Sequence, residues 1–108
     1  MTLLTDAPLP SAVPQTAETV VVPVCGALDA TSAARVRELL EDALRTRPAR
    51  VVVDLSECPF VDAGALAMLL EVHRRLFRSG GVLTLRGSSP RVLRLLSLTG
   101  LRRVFDLD

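Results

Sequence analysis

Apolar residues in this chain follow two alternating rhythms. Val20-Val21-Val22-Pro23-Val24-Cys25, Val51-Val52-Val53-Asp54-Leu55 and Val82-Leu83-Thr84-Leu85 are short runs rich in β-branched and aliphatic side chains. Such runs predict strands. The middle run is apolar almost throughout, the pattern of a strand covered on both faces. Between the runs the spacing lengthens to three and four residues. Ala33, Val36, Leu39, Leu40, Ala43 and Leu44 predict a first helix, opened by capping residues within Asp29 to Ser32 and ended by Pro48. On its wet side Arg37–Glu41 and Glu41–Arg45 stand four apart, the spacing of weak ion pairs along one helix.

A second helix starts near Asp62 and stops at Gly80-Gly81. Leu66, Leu69, Leu70, His73, Leu76 and Phe77 share one side of it. Ala65, Met68 and Val72 widen that apolar arc to about 200°. The arc exceeds what one core face needs, so it serves either a neighbouring helix or a partner. Pro90 predicts the first turn of a third helix, with Val92, Leu95, Leu96 and Thr99 on one face and Gly100 closing it. Val104 to Leu107 reads as a terminal strand or an extended tail. Strand and helix alternate three times, which predicts an α/β fold: a mixed, mostly parallel sheet of four to five strands with three to four packed helices.

Residues 1–18 break the pattern. Pro8, Pro10 and Pro14 stand among Thr, Ser and Ala, predicting a flexible N-terminal arm with a short edge strand at Thr2 to Thr5. The ordered domain is expected to span 19–108. Pro23 lacks a ladder donor and marks an unpaired side of its strand, through which two copies could form a homodimer.

Composition narrows the function. Lys, Trp and Tyr are absent, and the formal net charge is +1. No lysine can form a Schiff base or grip phosphate as in a P-loop, and three Phe give a poor stacking platform for single strands. Nucleic acid is not an expected partner. Cys25 and Cys58 lack metal-site spacing, His73 is the only histidine, and buried reduced thiols are expected. No apolar run is long enough to cross a membrane, and no secretory leader pattern is present. These features predict a cytoplasmic protein without metal or cofactor. Asp29, Asp54 and Asp62 could converge on Mg²⁺ at the strand ends, but no lysine or phosphate loop supports them, so no enzyme is expected. His73, inside the apolar stripe, reads as a core histidine.

The informative stretch runs from Val51 to Leu70, VVVDLSECPFVDAGALAMLL. A buried strand ends at Asp54-Leu55-Ser56, a loop crosses Pro59-Phe60-Val61, and a helix opens at Asp62. In an open α/β sheet this edge is where ligands and partners dock. The stretch resembles the signature of STAS domains, in which Asp-Leu-Ser is followed by an aromatic-Val-Asp and a Leu-rich helix. Gly26-Ala27-Leu28-Asp29, Gly80-Gly81-Val82-Leu83, Leu98-Thr99-Gly100-Leu101 and Val104-Phe105 resemble other landmarks of that family, and the likeness spans Thr19 to Leu107.

The resemblance implies a STAS fold and an anti-sigma factor antagonist, a module that binds a kinase-like ATPase anti-sigma factor and frees a sigma factor. It implies partner contacts at Asp29, Asp62, Ala63, Gly64, Ala65 and Met68. The family's phosphoacceptor hydroxyl falls on Gly64, flanked by Ala63 and Ala65, so the usual phospho-switch is expected to be missing. Ser56 instead matches the Asp-Leu-Ser turn. The same opening also resembles the STAS subunit that supports the ATPase of lipid-transporting ABC systems, with the hydroxyl position at Ala63.

Overall fold

The computed structural model describes residues 18–108. The predicted arm, with its strand at Thr2 to Thr5, lies outside the described residues. Seven elements follow in strict alternation: β1 (Thr19–Cys25), α1 (Ala33–Leu44), β2 (Arg50–Glu57), α2 (Ala63–Arg78), β3 (Val82–Arg86), α3 (Pro90–Leu98) and β4 (Asp106–Leu107). The strands form one sheet in the order β1-β2-β3-β4, and every pairing is parallel. Among the described residues, therefore, the sheet has four strands and three helices pack on it. The predicted final strand is only two residues long, because a turn occupies the chain from Arg102 to Val104.

Chain order equals spatial order, so right-handed crossovers place all three helices on one face. Burial agrees. Val22, Val24, Val51, Val53, Leu55, Leu83 and Leu85 enter a continuous core with Val36, Leu40, Leu69, Val72, Leu76, Val92 and Leu96. Alternate residues point the other way, as the period of a strand requires. In register, Val21, Val52, Thr84 and Asp106 form a row across that second face. The expectation that β2 is covered on both faces holds in burial, since Val51, Val52 and Val53 are each at most 1% exposed, but the helices supply the cover on one face only. Val52 is buried, but it stands outside the helix-packed core cluster, between Val21 and Thr84 in the row. Thr84 and Arg50 on this face both donate to Asp106 Oδ2, at 2.6 and 2.8 Å.

Pro23 occupies β1, which pairs with β2 on one side, and the register shifts between Pro23 and Cys25. Cys25 is exposed and Cys58 buried, so only one of the two expected buried thiols is in the core. Phe77 also departs from expectation. It is 69% exposed, because it lies at the rim of the α2 stripe. His73 is half-buried between the rings of Phe77 and Phe105, at 6.0 and 5.5 Å.

The polar faces of α1 and α2 meet. Arg37 pairs with Glu71 at 3.3 Å and Arg75 with Glu41 at 2.6 Å. The intrahelical pairs Arg37–Glu41 and Glu41–Arg45 expected from spacing do not form. Glu41 is taken by the neighbouring helix, and Arg45 turns to Asp42. The Arg75 hydrogen bond holds the Glu41 carboxyl below its ordinary value, and Glu41 in turn raises Arg75.

Candidate functional site

The carboxyl ends of β1, β2 and β3 lead into three loops that touch. Gly26 N–H donates to Glu57 O at 3.0 Å, Leu28 N–H to Phe60 O at 2.8 Å, and Asp62 N–H to Leu28 O at 3.0 Å. Leu28 and Val61 thereby form an isolated parallel bridge, and both side chains are buried. This bridge fixes Asp29 and Asp62, the next residue on each strand-like segment, at the same edge of the sheet. The third loop joins through Ser89, whose Oγ donates to Pro59 O at 3.3 Å. Gly87 closes the junction. A Cβ there would fall 3.0 Å from Ser56 Cβ, and its φ of +70° favours glycine.

At the centre, Asp62 is the N-cap of α2. Its backbone is extended, and its Oδ1 accepts from Ala65 N–H at 2.7 Å. One donor of the first turn is satisfied this way, while the Ala63 and Gly64 N–H groups have no intrahelical acceptor. Asp29 behaves differently from the expected helix cap. Its Oδ1 accepts from Thr31 N–H at 3.0 Å and from Thr31 Oγ1 at 2.6 Å. The N-cap of α1 is Ser32, which makes no side-chain cap bond. Ser32 Oγ instead donates to Ala27 O and accepts from Asp29 N–H. Asp29 therefore shapes an Asx turn ahead of the helix. The Thr31 hydroxyl, with the Thr31 amide, holds the Asp29 carboxyl below its ordinary value.

Asp54 sits at the end of β2 and accepts from Ser56 Oγ at 2.7 Å and from Ser56 N–H at 3.0 Å. Those two bonds lower its pKa, with Arg86 adding a smaller attraction. Ser56 thus has the turn role that its position suggested. Asp29, Asp54 and Asp62 each accept from their own loop, and among the described residues no group of three or more His, Cys, Asp or Glu is disposed to hold a metal ion.

Of the six residues expected to meet a partner, the structure brings four to the surface of this tip. Asp29 and Asp62 are half-buried, Ala63 and Gly64 exposed. Ala65 and Met68 are 2% and 4% exposed and lie in the core beneath it. Each step along a helix turns a side chain by about 100°, so Ala65 and Met68 face the sheet while Ala63 and Gly64 do not, and most of the apolar arc of α2 packs inward. Gly64 is not held against a neighbour that demands glycine. A Cβ built there meets only Asp62 Oδ1, at 3.6 Å, an ordinary contact.

Sequence reasoning missed the neighbour on α3. The Arg91 guanidinium lies 4.7 Å from the Phe60 ring centroid. This cation–π contact fastens the Pro59–Val61 loop from a helix 31 residues further along the chain. No local spacing signals it.

Comparison with known proteins bears on the fold and the tip together. Residues 11–107 match the family described as "Mlab, STAS domain". The chain is similar to the anti-sigma-B factor antagonist of Bacillus subtilis, 29% identical over 87 residues, or 81% of this chain and 79% of that protein. It is similar to the protein of the same name from Listeria monocytogenes, 30% identical over 84 residues, covering 78% and 74%. Among solved structures, an anti-sigma factor antagonist from Mycobacterium paratuberculosis superposes with a TM-score of 0.74 at 27% identity, covering 82% of this chain and 75% of that one.

Proposed function

We propose, from the premise that this chain belongs to the STAS domain family, that it is a cytoplasmic anti-sigma factor antagonist that works by binding and performs no catalysis. The observation that carries this reading is the tip itself. The Leu28–Val61 bridge brings half-buried Asp29 and Asp62 and exposed Ala63 and Gly64 to one small edge. The names of the Bacillus and Listeria relatives supply the partner class, an anti-sigma factor. Flat small side chains between two carboxylates suit close approach of a partner surface that carries cationic groups.

The partner is of the kinase-like ATPase type, and the antagonist lacks the phosphate-accepting hydroxyl at the first turn of α2. In the family pattern a phosphate there would add about −1.5 to −2 charges to a packed contact and break it. Ala63, Gly64 and Ala65 provide no oxygen to receive it. Other hydroxyls near the tip serve the loops: Thr31 on Asp29, Ser56 on Asp54 and Ser32 on Ala27. Binding is therefore constitutive toward that kinase.

A second reading rests on one observation, that the matched family description is not named for a sigma regulator. In it the chain is the STAS subunit supporting the ATPase of a lipid-transporting ABC system, and the same tip docks.

Ala63→Arg tests the tip. Ala63 is exposed, so the substitution should leave the melting temperature unchanged. Calorimetric titration with a purified anti-sigma factor ATPase from the same organism should show affinity falling about a hundredfold, as for a charge forced into a contact centre. Unchanged affinity removes the tip from the interface. No binding to the anti-sigma factor by the unmodified chain, with binding to an ABC ATPase, replaces the first reading by the second.

A further inference from the structure

Charge is distributed unevenly along this chain. From Gly87 to Phe105 there are four arginines and no acidic residue, although the whole protein is only +1. The remainder is therefore net negative. Arg91, Arg94, Arg102 and Arg103 are all exposed, and among the described residues none of them is in an ion pair. Elsewhere Arg37, Arg45, Arg50, Arg75 and Arg86 are each matched to a carboxylate, and the exposed Arg35, Arg47, Arg74 and Arg78 are scattered among acidic residues of the sequence, not gathered in an acid-free segment.

The four unpaired cations line two hollows that adjoin. One, of about 540 Å³, is walled by Pro90, Arg91, Leu93, Arg94 and Arg102. The next, of about 400 Å³, is walled by Ser97, Gly100, Arg102 and Arg103. Arg102 belongs to both, so the basic surface is continuous along α3 and the turn after it. It also reaches the tip, because Arg91 lies on Phe60 and Ser89 holds Pro59. The tip in turn is edged by Asp29, Asp54, Glu57 and Asp62. One side of the molecule thus presents an acidic edge beside a basic one.

We propose that the arginine surface of α3 and its following turn is a second contact site, which receives an acidic polypeptide segment of the protein that docks at the tip. The identity of that protein rests on the reading above; the site does not. Guanidinium forks suit carboxylates, which they can grip through paired hydrogen bonds. Half-buried Leu93 lies between Arg91 and Arg94, giving the segment an apolar foothold. Nucleic acid fits less well. Four cations fall short of the roughly six to ten phosphate contacts typical of a duplex binder, and the acidic tip would repel the continuing strand. A membrane fits less well too, since α3 has nine residues and offers a short apolar face.

The test uses the full ¹⁵N-labelled chain and poly-L-glutamate as probe. Saturable amide shifts are expected across residues 89–103 and at Phe60, weakening as salt rises. Arg91→Glu/Arg94→Glu and, separately, Arg102→Glu/Arg103→Glu should each weaken binding about tenfold or more, the scale of losing one or two charge-assisted pairs. Arg35→Glu/Arg78→Glu, an equal charge change at two other exposed arginines, should leave it unaltered. The dispersed spectrum reports that each variant is folded, and two independent variant pairs guard against damage at the Phe60 contact. Shifts centred elsewhere, equal losses in the control variant, or no saturable binding overturn the proposal. So does tighter binding, at the same salt, to duplex DNA or to phosphatidylglycerol vesicles. Because the probe replaces the partner, this outcome is independent of whether Ala63→Arg weakens an anti-sigma factor.

Discussion

The Asp62 carboxylate closes the first turn of α2 through a 2.7 Å bond to Ala65 N–H. Asp62→Ala removes that acceptor and should lower stability by about 1 kcal/mol, the usual worth of an N-cap. Urea unfolding checks it, and an unchanged midpoint would show that the cap bond contributes nothing. Two residues on, Gly64 has room for a side chain, since a Cβ would lie 3.6 Å from Asp62 Oδ1. Gly64→Ser should therefore fold as well as the parent and restore a hydroxyl at the family's acceptor position. Intact mass after incubation with the kinase-type anti-sigma factor and ATP should show one added phosphate in Gly64→Ser and none in the parent. Absence of phosphate on the variant would show that this position is not presented to the kinase. Asp62 was legible in the sequence because a cap residue precedes an apolar run. The role of Asp29 was not, since the same residue type also makes Asx turns, and Thr31 decided between them. The likeness assigns Ala65 and Met68 to the contact, whereas their inward phase on α2 puts their side chains in the core.

Elements were easier to read than their contacts. The β-branched runs and the three-to-four spacing located β1, β2, β3 and all three helices, because each signal is local. Pairing across helices is not local. The charges on α1 looked suited to one another at four-residue spacing, yet Arg37 and Glu41 reach to α2. These exposed bridges contribute at most about 1 kcal/mol each. The second face of the sheet carries the more telling polar group. Asp106 accepts first from Thr84 and next from Arg50, and both bonds hold its carboxyl below the ordinary 3.8. The folded state thus binds its proton less readily than the unfolded chain does. Stability from this group is present above pH 3.8 and is lost as pH falls through the lower, folded value. Asp106→Asn should flatten the acid limb of the stability profile, with Asp29, Glu41 and Asp54 still contributing to it. Thermal melts from neutral to acid pH measure this. An acid limb as steep as the parent's would contradict it.

Across the whole molecule, four parallel strands with helices on one face leave the carboxyl-end loops as the shared edge where residues from β1, β2 and β3 meet. That edge was visible from sequence as a strand-loop-helix passage with a family likeness. The acidic-basic division beside it was not, because it depends on α3 lying against the Pro59–Val61 loop. If the edge is a docking surface with nothing to phosphorylate, its complex must survive the partner's own substrate. The direct measurement is to form the complex with the purified kinase-type anti-sigma factor, add Mg-ATP, and follow complex and intact mass together over time. The account predicts that the complex persists and the antagonist gains no phosphate. Dissociation accompanied by a phosphorylated antagonist would contradict it.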